Sequence, residues 1–172
     1  METVDMPVRP IKLRRAASAD AREVADIYIA SRRGAVEFMP TVHTDDEIRG
    51  WIASVLVPNL EVWVAEVGGC ISGFVALDGE MLDQLFIAPN LQRQGIGDRL
   101  LSKAKELSPR RLRLYTFQKN APARHFYEAR GFVAIEFNDG SRNEEQAPDV
   151  LYEWTPGPAA RGAGENAARA KT

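Results

Sequence analysis

The segment Asp83–Leu101 (DQLFIAPNLQRQGIGDRLL) holds the densest potential chemistry in the chain. An apolar, strand-like run enters Gln92-Arg93-Gln94-Gly95-Ile96-Gly97 and passes directly into a helical pattern. The first N–H groups of a helix have no intrahelical partner and sit at the positive end of its dipole. Gly95 and Gly97 bare the backbone there, so a diphosphate can approach closely. Arg93 adds a positive charge. The plain alternative is a tight strand-to-helix turn. Two other phosphate loops are excluded. No Gly-Lys-Ser/Thr follows, so this is not a nucleoside triphosphate loop. Leu100 stands where a dinucleotide fingerprint has its third glycine, and the next strand ends Phe117-Gln118-Lys119-Asn120, without the acidic residue that fingerprint requires.

The elements that must position this loop are legible from periodicity and turn chemistry. Ile11–Arg14 reads as a first strand. A helix starts at Ser18 or Asp20 and buries Val24, Ile27 and Tyr28. Residues 31–43 are irregular. Thr44-Asp-Asp-Glu47 is a capping box that opens a second helix, with Ile48, Trp51, Ile52, Val55 and Leu56 on one face and Pro58-Asn59 ending it. Strands Glu61–Val67, Cys70–Leu77 and Glu80–Ala88 follow, joined at Gly68-Gly69 and Asp78-Gly79, so an antiparallel meander is expected. A helix over 95–107 turns Ile96, Leu100, Leu101, Ala104 and Leu107 inward. Strand Leu112–Phe117 comes next, then a helix capped by Asn120 and closed at Gly131. Strands Phe132–Phe137 and Val150–Trp154 complete the pattern around a polar loop. The order is β-α-α-β-β-β-α-β-α-β-β, and the strand–helix–strand crossover should be right-handed and parallel. The expected organisation is an extension at 1–10, one domain at 11–154, and a Pro-, Gly- and Ala-rich tail at 155–172 that should be disordered.

Composition excludes several classes. The 172 residues carry 22 Lys and Arg against 24 Asp and Glu. A net charge of −2 argues against a general nucleic-acid binder, which needs excess cations for phosphates. The single cysteine, Cys70, precludes an intrachain disulfide framework. With two histidines, His43 and His125, the usual four-ligand zinc site is short of ligands, and no metal is expected. No apolar run reaches the roughly 18–20 residues of a membrane span, and no secretory segment is visible, so a cytoplasmic protein is expected.

Gln92–Gly97 matches Q/R-x-x-G-x-G/A, and Asn120–Phe132 matches N-x-x-A-x-x-F-Y-x-x-x-G-F at every fixed position. With the element order, the two segments resemble the GNAT superfamily of acetyl-CoA-dependent N-acyltransferases. The resemblance spans about residues 11–154. It implies an α/β (α+β) fold with a mixed sheet of about seven strands. It implies an N-acetyltransferase that moves acetyl from acetyl-CoA to a small amine or peptide N-terminus by direct attack. A non-catalytic acyl-CoA-binding regulatory module is the alternative, and a homodimer is left open.

The resemblance also implies site residues. Backbone groups of Leu85, Phe86 and Ile87 would meet the pantetheine arm, and the N–H of Leu85 or Phe86 would polarise the acetyl carbonyl. The loop amides of Arg93, Gln94, Gly95, Ile96, Gly97 and Asp98 would hold the pyrophosphate, with Asn120 and Phe126 completing the cofactor side. Tyr127 would give a proton to the leaving thiolate; a core aromatic is the plain alternative. Asp83, two positions before Leu85 and so expected on the same face, is the candidate base. Its alternative is a structural carboxylate. His43 is a weaker candidate, and His125 should face outward. Trp51, Trp63 and Trp154 read as core. Glu80 reads as turn chemistry. Glu37, Glu144, Glu145 and Asp149 fall in loops that would flank the acceptor, where carboxylates would favour a cationic amine.

Overall fold

The computed structural model describes residues 9–157. The expected tail beyond 157 and residues 1–8 lie outside the described residues. Strand β1 (Ile11–Arg15) leads through a 3-10 turn into helix α1 (Ala21–Gly34). Helix α2 (Asp45–Trp51), a π-helical turn (Ile52–Leu56) and a last turn α3 (Val57–Asn59) run on continuously. Strands β2 (Glu61–Val67), β3 (Cys70–Asp78) and β4 (Met81–Ile87) form the meander. Helix α4 (Ile96–Leu107), strand β5 (Leu112–Phe117), helix α5 (Ala121–Glu128) and strands β6 (Val133–Asn138) and β7 (Asp149–Trp154) follow.

All seven strands join one sheet in the order β1-β2-β3-β4-β5-β7-β6. Every pairing is antiparallel except β4 with β5. Gly68 and Gly69 both take positive φ, at 60° and 80°, as a two-residue type I′ hairpin requires. Each sheet face has its own core. One gathers Val75, Leu77 and Leu82 against Ile96, Leu100 and Leu101 of α4 and Tyr127 of α5. The other gathers Phe74 and Ala76 against Val24, Ile27 and Tyr28 of α1 and Ile48, Ile52 and Leu56 beyond it. Among the described residues, no helix is long and apolar enough to cross a membrane.

Three expectations change in detail. Val55 is 41% exposed. The π turn widens the helix by one residue, so Ile48, Ile52 and Leu56 face the core and Val55 rotates out. Leu107 is 39% exposed at the end of α4, where the helix meets Ser108. The tryptophans border the cores without entering them: Trp63 donates to Glu61 and carries Lys103 over its ring. Glu80 pairs with Arg111, tying the β3–β4 turn to the start of β5.

Helix α1 is pinned to the sheet at its entry. Arg14 binds Asp20 through two nitrogens at 2.7 and 3.0 Å and Glu66 at 2.7 Å. The Arg14 hydrogen bond lowers the Asp20 pKa. A depressed folded pKa stabilises above the unfolded carboxylate value of about 3.9, and that stability is lost as pH falls through the folded value. Asp20→Asn should therefore cost about 1–3 kcal/mol at pH 7, with the gap to wild type closing at pH values below the ordinary carboxylate range. Urea unfolding at several pH values checks this. A pH-independent gap would contradict it.

Candidate active site

Strands β4 and β5 pair at one position, Met81 with Arg113, and then part. A cavity of about 1040 Å³ opens in the gap. Single small ligands commonly occupy about 300–1,000 Å³, so this cleft has room for a long cofactor arm and a second reactant.

At one end lies the glycine loop. Gly95 caps α4 with φ 83°, and Arg93 also takes a positive φ of 63°. Left-handed residues alternating along a loop turn successive N–H groups inward, which makes an anion-binding nest. The two glycines differ in their reasons. Gly95 has open space around it, so its left-handed backbone is what selects glycine. At Gly97 a Cβ would meet the Phe126 ring at 3.2–3.3 Å, so the absent side chain lets α4 and α5 approach. Gln94 is exposed and the Ile96 side chain is core, which leaves their backbone N–H groups for any role in this loop. Asn120 caps α5, its side-chain oxygen accepting from the N–H of Ala123 at 3.2 Å.

Arg130 is a residue that the sequence reading missed. Its guanidinium lies 3.8 Å from the centre of the Phe126 ring and binds Asp98 at 2.5 and 3.1 Å. That pairing lowers the Asp98 pKa and offsets a negative charge beside the loop. Arg130 stands at a variable position of the motif, so only its charge in a cleft-facing helix turn could have signalled it.

Along β4, the Ala88 N–H points to Ser72 of β3, while the Ile87 carbonyl accepts from Ser31 at 3.0 Å. Backbone groups alternate sides along a strand. Those of Leu85 and Ile87 accordingly face the gap, and those of Phe86 face β3. Of the two N–H groups expected to meet the acetyl carbonyl, that of Leu85 points away from β3. The expected alignment of Asp83 with Leu85 fails. The register jumps from Ala76↔Gln84 to Leu77↔Leu82, and this bulge leaves Asp83 unpaired. A bulge re-aims side chains. Leu82 and Leu85 share one core, and the unpaired Asp83 between them falls outside the strict two-residue alternation. Asp83 still borders the cavity; its side chain is open to solvent there, and partial desolvation by the cleft walls raises its pKa.

Tyr127 is a core aromatic that also reaches the cavity wall. Its ring stacks edge-on against Phe126 and Phe132, and it borders the cavity. Burial raises its pKa, so the phenol stays protonated. On the α1 side, Ser31, Arg32 and Glu145 border the cavity as well, with Tyr28 in the core behind Arg32. Arg32 donates to the Tyr28 hydroxyl at 3.1 Å and to the Pro40 carbonyl at 2.6 Å, and reaches Glu145 at 3.4 Å. The sequence offered a signal for this group: Tyr28 and Ser31 are polar positions on the buried stripe of α1. His43 does not border the cavity. It binds Glu144 at 2.7 Å, a bond that raises its pKa, and so bridges two loops. His125 is exposed, as expected, yet borders the cavity; Glu37 is exposed and does not. Among the described residues, no cluster of His, Cys, Asp and Glu could hold a metal.

A family description, the Acetyltransferase (GNAT) domain, matches residues 58–134. The peptidyl-lysine N-acetyltransferase YiaC of Escherichia coli is 34% identical over 104 residues, 60% of this chain and 69% of that protein. An uncharacterized N-acetyltransferase of Archaeoglobus fulgidus is 30% identical over 151 residues, 78% of this chain and 100% of that one. The crystal structure of the PaiA N-acetyltransferase of Thermoplasma acidophilum with coenzyme A superposes with a TM-score of 0.65 at 19% identity, covering 86% of this chain and 99% of that one. The splayed strands and the glycine loop thus sit in a fold and a sequence of one kind: the chain belongs to the GNAT family of N-acetyltransferases.

Proposed function

We propose that this protein moves the acetyl group of acetyl-CoA to a primary amine by direct attack, with both reactants held together in the cleft. The observation that carries the reading is the parting of β4 from β5 beside the left-handed glycine loop, with Tyr127 bordering the gap. Backbone groups of Leu85 and Ile87 pair with the pantetheine amides. The Leu85 N–H polarises the acetyl carbonyl, and such a donor contributes about 3 kcal/mol to the transition state. The N–H groups at 93–98 hold the pyrophosphate, assisted by the Arg93 charge. Phe126, braced by Arg130, forms the cofactor-side wall.

Asp83 takes the proton that the attacking amine must lose. Desolvation by the cleft raises its pKa, which makes it a stronger base than an ordinary carboxylate. Tyr127 delivers a proton to the departing sulfur. Burial raises the proton affinity of a thiolate as it does that of the phenol, which keeps the two matched. The name of the Escherichia coli relative supports an acceptor amine of the lysine side-chain kind. The single Cys70, with no disulfide framework, supports action in the cytoplasm.

Gly97→Val should displace the Phe126 ring and weaken coenzyme A binding at least tenfold in a protein that still melts cooperatively. Calorimetry measures it, and unchanged affinity would remove the loop from the site. Tyr127→Phe keeps the ring and loses the proton, so kcat should fall about 10²–10⁴-fold with coenzyme A affinity nearly intact. Full activity would end the acid assignment. Asp83→Asn should be slow near pH 7 and recover as pH approaches the amine's own pKa, about 10.4 for a lysine. A deficit constant across that range would make Asp83 structural.

A further inference from the structure

The loop between β6 and β7 (NDGSRNEEQAPD) is polar throughout, a composition expected of a mobile surface segment. It is instead braced from within. Asn143 donates to the Ala147 carbonyl at 2.8 Å and to the Asp149 carboxylate at 2.9 Å, and accepts from the Ala147 N–H at 3.1 Å. Gly140 takes φ 89°, and any Cβ there would lie 2.5–2.7 Å from the Ala147 backbone. Gln146 is held at φ 50°, a left-handed backbone that disfavours a non-glycine residue.

This bracing aims two adjacent glutamates in different directions. Glu144 is 72% exposed and bound to His43. The Glu145 side chain is 19% exposed and lies in the cavity wall, on the side that carries Ser31 and Arg32. Glu145 is under-used there. A carboxylate offers about four acceptor positions, and a full-strength arginine pair is bidentate at about 2.7–2.9 Å. Glu145 has one contact, at 3.4 Å, to an Arg32 nitrogen that already donates to Pro40 at 2.6 Å. Arg32 cannot swing closer without releasing Tyr28 and Pro40. Of the other carboxylates of this wall, Asp149 spends one oxygen on Asn143 and keeps the other buried, without a hydrogen-bond partner and closed to solvent, and Asp83 is the assigned base; Glu145 keeps solvent access.

We propose that Glu145 is a specificity-determining carboxylate that binds the acceptor's ammonium, so that this enzyme selects cationic alkylamines of the lysine side-chain type. The proposal rests on the N-acetyl-transfer reading for its purpose, but its test measures binding alone. Glu145 holds the ammonium as it enters; one proton passes to Asp83 before attack, and the second, left on nitrogen after attack, restores Tyr127, whose own proton has gone to the departing sulfur. Arg32 limits the affinity, because its charge partly offsets that of Glu145 and keeps the site from trapping the cation.

The test is a nuclear magnetic resonance titration of the coenzyme A-saturated protein with Nα-acetyl-lysine amide and with its uncharged counterpart Nα-acetyl-6-hydroxynorleucine amide. Wild type should bind the lysine compound more tightly. Glu145→Gln should weaken that binding about tenfold and leave the hydroxyl compound unchanged. Glu144→Gln, which alters the neighbouring residue, should change neither. If Glu145→Gln melts much lower than wild type, Glu145→Asp keeps the charge and should retain part of the preference. Equal weakening of both compounds, or no preference in wild type, would overturn the proposal. Failure of every amine to release coenzyme A would instead overturn the transferase reading, with the binding result standing apart.

Discussion

Everything in the cleft depends on one broken pairing. A parallel strand beside β4 would normally satisfy its backbone along its whole length, yet β5 meets it only at Met81 and Arg113. The backbone groups of Leu85 and the Ile87 N–H are then left facing a gap, while the Ile87 carbonyl takes Ser31 as its donor. Unpaired backbone polar groups away from water cost free energy comparable to a lost hydrogen bond. An extended ligand bearing amides can repair that deficit by acting as the missing strand, so the sheet defect is itself a recognition element. The Asp83 bulge is part of the same departure from regularity. It interrupts regular pairing with β3 at a residue whose carboxylate borders the cleft.

The two cores on either face keep such a defect from collapsing. Residues of β3 feed both: Val75 and Leu77 pack toward α4, and Phe74 and Ala76 toward α1. Gly73 marks how close the packing becomes. A Cβ there would lie 2.9–3.2 Å from Ile87, Phe86 and Ile96, so strand, gap and helix start are held at backbone distance. This fixes the glycine loop relative to β4. The same close approach recurs at Gly97 against Phe126, which sets the separation of the two helices on the cofactor side.

Much of this architecture was legible because each element carries its own local signal. The Thr44–Glu47 capping box forms as read, with the Glu47 N–H donating to Thr44 and the Thr44 N–H to Glu47. The Gly68-Gly69 turn, the Asn120 cap and the alternation of β2 are equally local. What escaped was non-local or out of phase. The π turn at Ile52–Leu56 has no distinct composition, so Val55 was placed inward. The bulge at Asp83 breaks the alternation that sequence reading assumes, so a same-face argument failed although the residue does border the cleft. Arg130 and Arg32 act through partners far along the chain, Asp98 and Glu145, and only the folded chain brings those charges together.

The central claim is that the gap holds both reactants at once and that the acetyl group passes directly between them. Initial-rate kinetics with acetyl-CoA and amine varied together test this most directly. Double-reciprocal lines that intersect are the predicted result, because a ternary complex must form before coenzyme A leaves. Parallel lines, with an acetylated protein isolable in the absence of amine, would be the signature of a covalent intermediate and would contradict the account.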